Sequence, residues 1–403
     1  MYIYKKYYFI RYLLPMIKQK VIDHFKLQYK ENPILIKSPG RINIIGEHTD
    51  YNLGFVLPAS IDKAIYYAFS KNDDNTINIH SLNYPEKIIF DTKGKSVFTS
   101  FWGKYFEAII QLLNEKGYTL SGVNCVFGGN IPIGAGLSSS AALCCGFIYG
   151  LSNTLNLSIS KKEIAFIAQK AEHMIGLNCG IMDQYAVLFG QKNKAIFLDC
   201  KTLTHQEIPI NLPNYSWVLI NSNIKHELAI DSEYNVRRTS CENVVNEVKK
   251  QNKSVQTLRD VDFITLEKIK ESILPIDYQR AHYILKENDR VQKMVKALKN
   301  GEAKTAGSLL LEGHLGMSKE FQITTPELDL LVEISQNTEG VLGSRMMGGG
   351  FGGCTINLIK TKEKEKAVQS ILKHYQEKTD IQAESYDLNI DHCVKEIDLL
   401  QEV

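Results

Sequence analysis

The chain contains cysteines but none of the spacing that would give them a structural use. The eight residues, Cys125, Cys144, Cys145, Cys179, Cys200, Cys241, Cys354 and Cys393, include no CxxC pair, and no matched histidine spacing completes a zinc site. They read as the reduced thiols of a cytoplasmic protein. An excess of either charge is also missing. With 47 Lys+Arg against 45 Asp+Glu, the electrostatic footprint of a nucleic-acid or anionic-membrane binder is absent, and a small partner is expected. At the N-terminus, Arg11 interrupts the apolar stretch of "MYIYKKYYFIRYLLP" and no small-residue cleavage site follows, which argues against a signal peptide. Residues 1–15 are therefore expected to be an extension outside the core, with Met16 as the working start.

Charge is missing locally too. From Gly117 to Ser160 there is no Asp, Glu, Lys or Arg. Pro132, repeated glycines and polar Ser and Asn leave only Ala141 to Leu151 as a mainly apolar run, too short to cross a bilayer. The segment reads as buried interior.

What is present suggests two lobes and a cleft, since 403 residues suffice for two domains with cores of their own. Strand-like runs fill the first part ("ILIKSPGRINIIG", "AIYYAFS", "TINIHSL", "KIIFD", "GVNCVFGG"), followed by two helical segments. This is an α+β layout rather than a strict βαβ repeat. Strands return near "KAIFLDCKTLTHQEIPI" and "SWVLINSN", and helical patterns dominate from about Asp231 to Lys319. A further helix is expected with Thr325 as N-cap, Pro326 at its first position and Gly340 past its close. There is no internal repeat and no low-complexity linker.

Three polar clusters sit against apolar runs. In "SPGRINIIGEHTDYN", Arg41, Glu47, His48 and Asp50 crowd around Ile42, Ile44 and Ile45, a pattern that asks for a polar ligand. In "GGNIPIGAGLSSSAALCCGF", a glycine loop runs into a buried helix, with Ser138, Ser139 and Ser140 in its first turn. The free N–H groups of that helix start form an anion site without any lysine. The pattern is not GxxxxGKS or GxxxxGKT, because the lysine is missing. A serine-capped buried helix would look similar, but the charge-free flanks favour a phosphate cradle.

The third cluster is acidic. Glu172 falls on the apolar stripe of a helix capped by Ser160 and Glu163, and a carboxylate facing a core must be paired or bind a cation. Together with the serine hydroxyls it suggests a magnesium site. In "CGIMDQYAVLFG", Asp183 follows a glycine turn among apolar neighbours, which suits a general base. "GGGFGG", Gly348 to Gly353, formally contains GxGxxG but precedes a strand, so the dinucleotide reading fails. A turn packing beside a ligand or the other lobe fits better, with a plain hairpin as the alternative.

Taken together these stretches resemble the galactokinases, members of the GHMP family of small-molecule kinases. "GRINIIGEHTDYN" resembles the galactokinase signature, "PIGAGLSSSAA" the second GHMP motif and "SRMMGGGFGGC" the third, in matching order over nearly the whole chain after Met16. The resemblance implies an α+β, two-lobed GHMP kinase fold with the active site in the cleft between lobes, the N-terminal domain over 16–200 and the C-terminal domain over 201–403. It implies ATP-dependent phosphorylation of galactose at the C1 hydroxyl, giving galactose 1-phosphate and ADP at the first committed step of galactose catabolism. ATP and Mg²⁺ are then required, and the protein is expected to be a cytoplasmic monomer with no nucleic-acid or membrane partner.

By the same resemblance Asp183 is the catalytic aspartate and Arg41 its partner. Glu47, His48, Asp50, Gly180 and Tyr234 bind the sugar. Gly134, Ala135, Gly136, Leu137, Ser138, Ser139 and Ser140 form the phosphate loop, Ser140 and Glu172 hold the metal, and Trp102 stacks on adenine. Tyr234 and Trp102 could equally be core aromatics. Some galactokinase-like proteins act as sugar- and ATP-dependent transcriptional inducers and lose part of the second motif. "SSSAA" is complete here, which favours an enzyme.

Overall fold

Ile34–Asn43 and Pro58–Lys71, buried along almost their whole length by runs such as Ile34–Ile36 and Ala64–Phe69, form the antiparallel pair on which the fold rests. The computed structural model describes residues 17–132, 134–224 and 230–398, with side chains left aside at 230–232, so the expected extension 1–15 lies outside it. A helix α1 (17–29) leads into β1 (Ile34–Asn43), followed by β2 (Phe55–Val56), β3 (Pro58–Lys71), β4 (Thr76–Ser81) and β5 (Lys87–Asp91). Next come α2 (Gly103–Glu115), β6 (Val123–Gly129), α3 (Ser139–Leu155), α4 (Lys161–Met174) and α5 (Met182–Phe189). Strands β7 (Lys194–Asp199), β8 (Thr204–Pro209) and β9 (Tyr215–Asn221) precede the helices α6 (Ile230–Gln251), α7 (Phe263–Lys268), α8 (Pro275–Asn300), α9 (Ala303–Gly316) and α10 (Pro326–Gln336). The chain ends in β10 (Val341–Met346), β11 (Cys354–Lys360), α11 (Lys364–Thr379), β12 (Glu384–Asp387) and β13 (Lys395–Glu396).

Among the described residues three sheets form: β13-β1-β3-β6-β4-β5, β10-β11-β9-β12, and β2-β7-β8. Most neighbours are antiparallel and only β4 and β6 pair in parallel, as the α+β reading expected. The charge-free segment is interior along β6 and most of α3, while its ends and part of the glycine loop are exposed. Helix α3 lies on the first sheet so closely that a Cβ on Gly150 would sit 2.0 Å from the Phe69 ring and one on Gly146 2.6 Å from Ser38 and Tyr67. Burial of Leu143, Phe147, Ile148 and Leu151 from α3, at about 1.5–3 kcal/mol each, holds it there.

Two details place the site. The register of β1 on β3 shifts between Pro39 and Arg41, and Gly40 lets β1 approach the next loop, since a Cβ there would meet Leu137 O at 2.9 Å. The Arg41 N–H donates to that same carbonyl at 3.2 Å. Helix α8 contributes Val291, Met294 and Leu298 to the core that holds Ile44 and Val56, so the second half of the chain grips the first motif directly. The C-terminal residues return to the first sheet through β13 on β1 and the Lys37–Asp391 ion pair of 2.5 Å.

Local expectations are met unevenly. Ser160 Oγ accepts the Glu163 N–H at 3.2 Å, but the Glu163 carboxylate takes the Tyr118 hydroxyl at 2.9 Å instead of closing a capping box. Thr325 caps α10. That helix ends earlier than Gly340, at Gln336, with Asn337 as C-cap; Gly340, at φ 92°, instead precedes β10.

Candidate active site

A cavity opens where β1, the loop after it, the start of α5, the start of α6 and the third glycine cluster meet. Arg41, Glu47, His48, Asp50, Gly180, Asp183 and Tyr234 line it, together with Cys179, Met182, Asn178, Asn235, Gly348 and Gly349. All seven residues expected around a sugar and its phosphoryl acceptor oxygen are thus brought together.

Asp183, in the first turn of α5, is held through both carboxylate oxygens. Arg41 Nε donates to its Oδ1 at 2.7 Å, and the Ser138 hydroxyl donates to its Oδ2. Arg41 also donates to Gly136 O, so one guanidinium joins the aspartate to the phosphate loop. In that loop Gly134 and Gly136 have φ of 75° and 67°, a region that favours glycine. Ser138 also adopts a left-handed conformation, at φ 53°, and stands at the N-cap position without a side-chain capping bond, so the helix begins at Ser139.

The sugar-motif residues are tightly held. His48 is buried, and burial pushes its pKa down to about 4. The ring is neutral near pH 7, with Nε2–H donating to Gly349 O at 3.2 Å and Nδ1 accepting from the Tyr51 hydroxyl at 2.8 Å. Tyr234 packs on His48 and Tyr51 with ring centroids 4.9 and 5.3 Å apart. Burial and the nearby charge of Asp183 push Asp50 up to about 6, against hydrogen bonds from the Tyr51 and Met182 amides. Glu47 is buried in an ion pair with Arg345, and its Oε1 accepts the Gly348 N–H at 3.0 Å.

Glu172 lies on the inner face of α4, buried as its stripe position required. Burial pushes its carboxyl up to about 7; the charge of Asp183 adds to this, while hydrogen bonds from Ser140 and Gln184 oppose it. Gln184 Nε2 donates to Glu172 Oε2, and Cys179 Sγ lies 3.7 Å from the same oxygen. The third glycine cluster packs against the phosphate loop, as a Cβ on Gly348 would sit 3.7 Å from Gly136 Cα and one on Gly353 3.5 Å from Gly134 O.

Trp102 is not among the cavity residues. It is buried at the start of α2, edge-on to Phe106 and Phe127 at 5.5 Å, with Tyr84 stacked at 6.3 Å. Phe127 belongs to β6, the strand that precedes the glycine loop in the chain.

Sequence reasoning missed Arg345, Glu287, Gln184 and Tyr51. A signal for Glu287 exists: Tyr283, Ile284, Glu287 and Val291 share one buried stripe of α8, the same test that singled out Glu172. No comparable signal marks Arg345, which sits inside a strand.

Solved structures place this architecture in a known class. A mevalonate kinase from Methanococcus jannaschii shares the fold over 90% of this chain and 100% of its own, with a TM-score of 0.65 and 17% identity. The galactokinase of Lactococcus lactis, solved with galactose, gives a TM-score of 0.90 and 31% identity over 94% of this chain and 99% of its own. Family models match as well: GHMP kinases N terminal domain over residues 104–191, GHMP kinases C terminal over 294–378, and the galactokinase galactose-binding signature over 23–71. The fold is therefore that of the GHMP kinases. Among curated relatives, the galactokinase of Clostridium acetobutylicum is 36% identical over 393 residues, 96% of this chain and 99% of its own. That of Thermotoga petrophila is 39% identical over 345 residues, 84% of this chain and 94% of its own. The chain belongs to the galactokinase family of enzymes.

Proposed function

We propose that the protein transfers a phosphoryl group from ATP to the C1 hydroxyl of galactose, giving galactose 1-phosphate and ADP. Family membership supports the kinase activity and the sugar. The observation that carries the chemistry is the contact between Arg41 and Asp183 at 2.7 Å, inside the cavity and joined to the phosphate loop through Gly136.

Phosphoryl transfer is mostly positioning and charge stabilisation. Asp183 accepts the proton of the C1 hydroxyl. Arg41 orients that carboxylate and offsets charge on the transferring group, while the Ser138 hydroxyl fixes the second carboxylate oxygen. The loop Gly134, Ala135, Gly136, Leu137, Ser138, Ser139 and Ser140 offers backbone N–H groups to the phosphates at the head of α3. Glu47, His48, Asp50 and Tyr234 bind sugar hydroxyls, Gly180 leaves room for Asp50, and Trp102 supports the adenine.

Ser140 and Glu172 fit Mg²⁺. Glu172 is a buried carboxyl pushed up to about 7, with the Ser140 hydroxyl bonded to it, and a cation beside it would reverse that shift. Bound there, Mg²⁺ would neutralise phosphate charge.

The same reading divides the chain into an N-terminal domain over 16–200 and a C-terminal domain over 201–403, working as a monomer in the cytoplasm. No helix among the described residues is long and apolar enough to cross a membrane. A coupled ADP-release assay with galactose, glucose and N-acetylgalactosamine tests the proposal. Galactose should give much the highest kcat/KM, because rejecting an epimer leaves buried acceptors unpaired. A higher value for N-acetylgalactosamine would overturn the choice of sugar, and sugar binding without ADP release would overturn the enzyme.

A further inference from the structure

Four charged side chains alternate in sign behind the sugar motif: Glu47, Arg345, Glu287 and Arg290. All are buried. Arg345 faces Glu47 Oε2 through one terminal nitrogen and Glu287 Oε1 through the other, the latter at 3.5 Å, and Arg290 Nε donates to Glu287 Oε2 at 2.6 Å. Arg345 also donates to Ile44 O at 3.2 Å and to Met346 O at 3.0 Å. Glu287 Oε1 accepts the Gly46 N–H at 2.9 Å. The backbone just before Glu47, at Ile44 and Gly46, is therefore held from β10 and α8, outside the motif itself.

The cluster also reaches the nucleotide side. Glu47 Oε1 accepts the Gly348 N–H, and Gly348 packs on Gly136 of the phosphate loop. Movement of Glu47 would therefore be felt at both halves of the cavity. We infer that Arg345 is a positioning residue for sugar recognition: it touches no substrate, fixes the Glu47 carboxylate at the cavity wall, and ties that carboxylate through Gly348 to the phosphate loop. This rests on the reading of Glu47 as a sugar ligand. A planar fork is needed, because one guanidinium serves two carboxylates and two carbonyls at once, and a lysine ammonium cannot span them.

The test is a double-mutant cycle on galactose affinity, with Arg345→Lys, Glu47→Gln and the pair, measured by calorimetry beside steady-state KM and kcat. Glu47→Gln alone should weaken galactose binding. Arg345→Lys alone should weaken it about tenfold, raise the KM for ATP by a smaller factor and change kcat little, because the Arg41–Asp183 pair is untouched. In the Glu47→Gln background Arg345→Lys should add almost nothing. Additive effects, or a lowered melting temperature with unchanged galactose affinity, would overturn the inference and leave Arg345 as a purely structural residue. Unchanged affinity in Glu47→Gln alone would instead remove Glu47 as a sugar ligand. If Arg345→Lys does not fold, Glu287→Gln replaces it in the cycle. It keeps an oxygen at the position facing Gly46 and Arg345 but removes the charge that draws Arg345 from the far side, and turns an amide toward Arg290; the same non-additivity is expected, with additivity again the overturning result.

Discussion

Gly180 and Asp50 are in contact at a distance that leaves no room for a side chain: a Cβ at position 180 would lie 1.9 Å from Asp50 Oδ2. Gly180→Ala must therefore push the carboxylate away from its place between the Tyr51 and Met182 amides. Overpacking of this kind costs about 1–3 kcal/mol. Galactose KM should rise about tenfold or more, with the KM for ATP nearly unchanged. An Ala variant with normal galactose KM would show that Asp50 is not held for the sugar.

Asp50 also predicts a pH dependence of stability. Its folded pKa is raised from 3.8 to about 6, chiefly by burial, so the folded protein binds this proton more tightly than the unfolded chain does. The resulting stabilisation is complete below about pH 4 and lost as pH rises through about 6, which amounts to about 3 kcal/mol. Asp50→Asn removes that loss. In the ligand-free protein the variant should be the more stable form at pH 7.5, and its advantage should shrink towards pH 4.5 in paired urea titrations. A gap that stays constant across this range would rule the effect out.

These two residues also mark how far the sequence can be read. Asp50 is legible because its polar neighbours sit beside an apolar run, and Glu172 because a helical stripe has a fixed period, whereas Gly180 stands out only through the resemblance to the galactokinases. Arg345 obeys no such local rule. Its partners Glu47 and Glu287 come from distant parts of the chain, and only the tertiary fold brings them together. The early end of α10 has a similar origin: Asn337 can close the helix as C-cap, and a later glycine does not reveal which residue does so. The contact between the third glycine cluster and the phosphate loop was one of two readings left open, and packing between the elements decides it.

Asp183→Asn tests the chemical assignment. The variant keeps the shape of the side chain and loses the base, so kcat should fall by about 10²–10⁴-fold, while calorimetry still detects galactose. Ser138→Ala, which removes only the hydroxyl donated to Asp183, should cost about tenfold or less in kcat. Near-normal turnover in Asp183→Asn would remove Asp183 from the mechanism.

Trp102 separates a core role from a nucleotide role. It is 8% exposed and packs edge-on against Phe106 and Phe127, so Trp102→Ala would cost about 3–5 kcal/mol by cavity formation alone and would confuse the two. Trp102→Phe keeps an aromatic ring against both neighbours and gives up the indole edge, whose Nε1 has no protein partner. If Trp102 serves only the core, the variant loses a few degrees of melting temperature and both substrate KM values stay put. If it supports adenine beyond β6, the KM for ATP should rise severalfold while galactose affinity, measured without nucleotide, is unchanged. The second pattern is expected, because Tyr84, stacked on the buried indole, is itself 43% exposed, so a single ring separates Trp102 from solvent, next to the strand that precedes the phosphate loop. An unchanged KM for ATP in a folded Trp102→Phe variant would return Trp102 to the core alone.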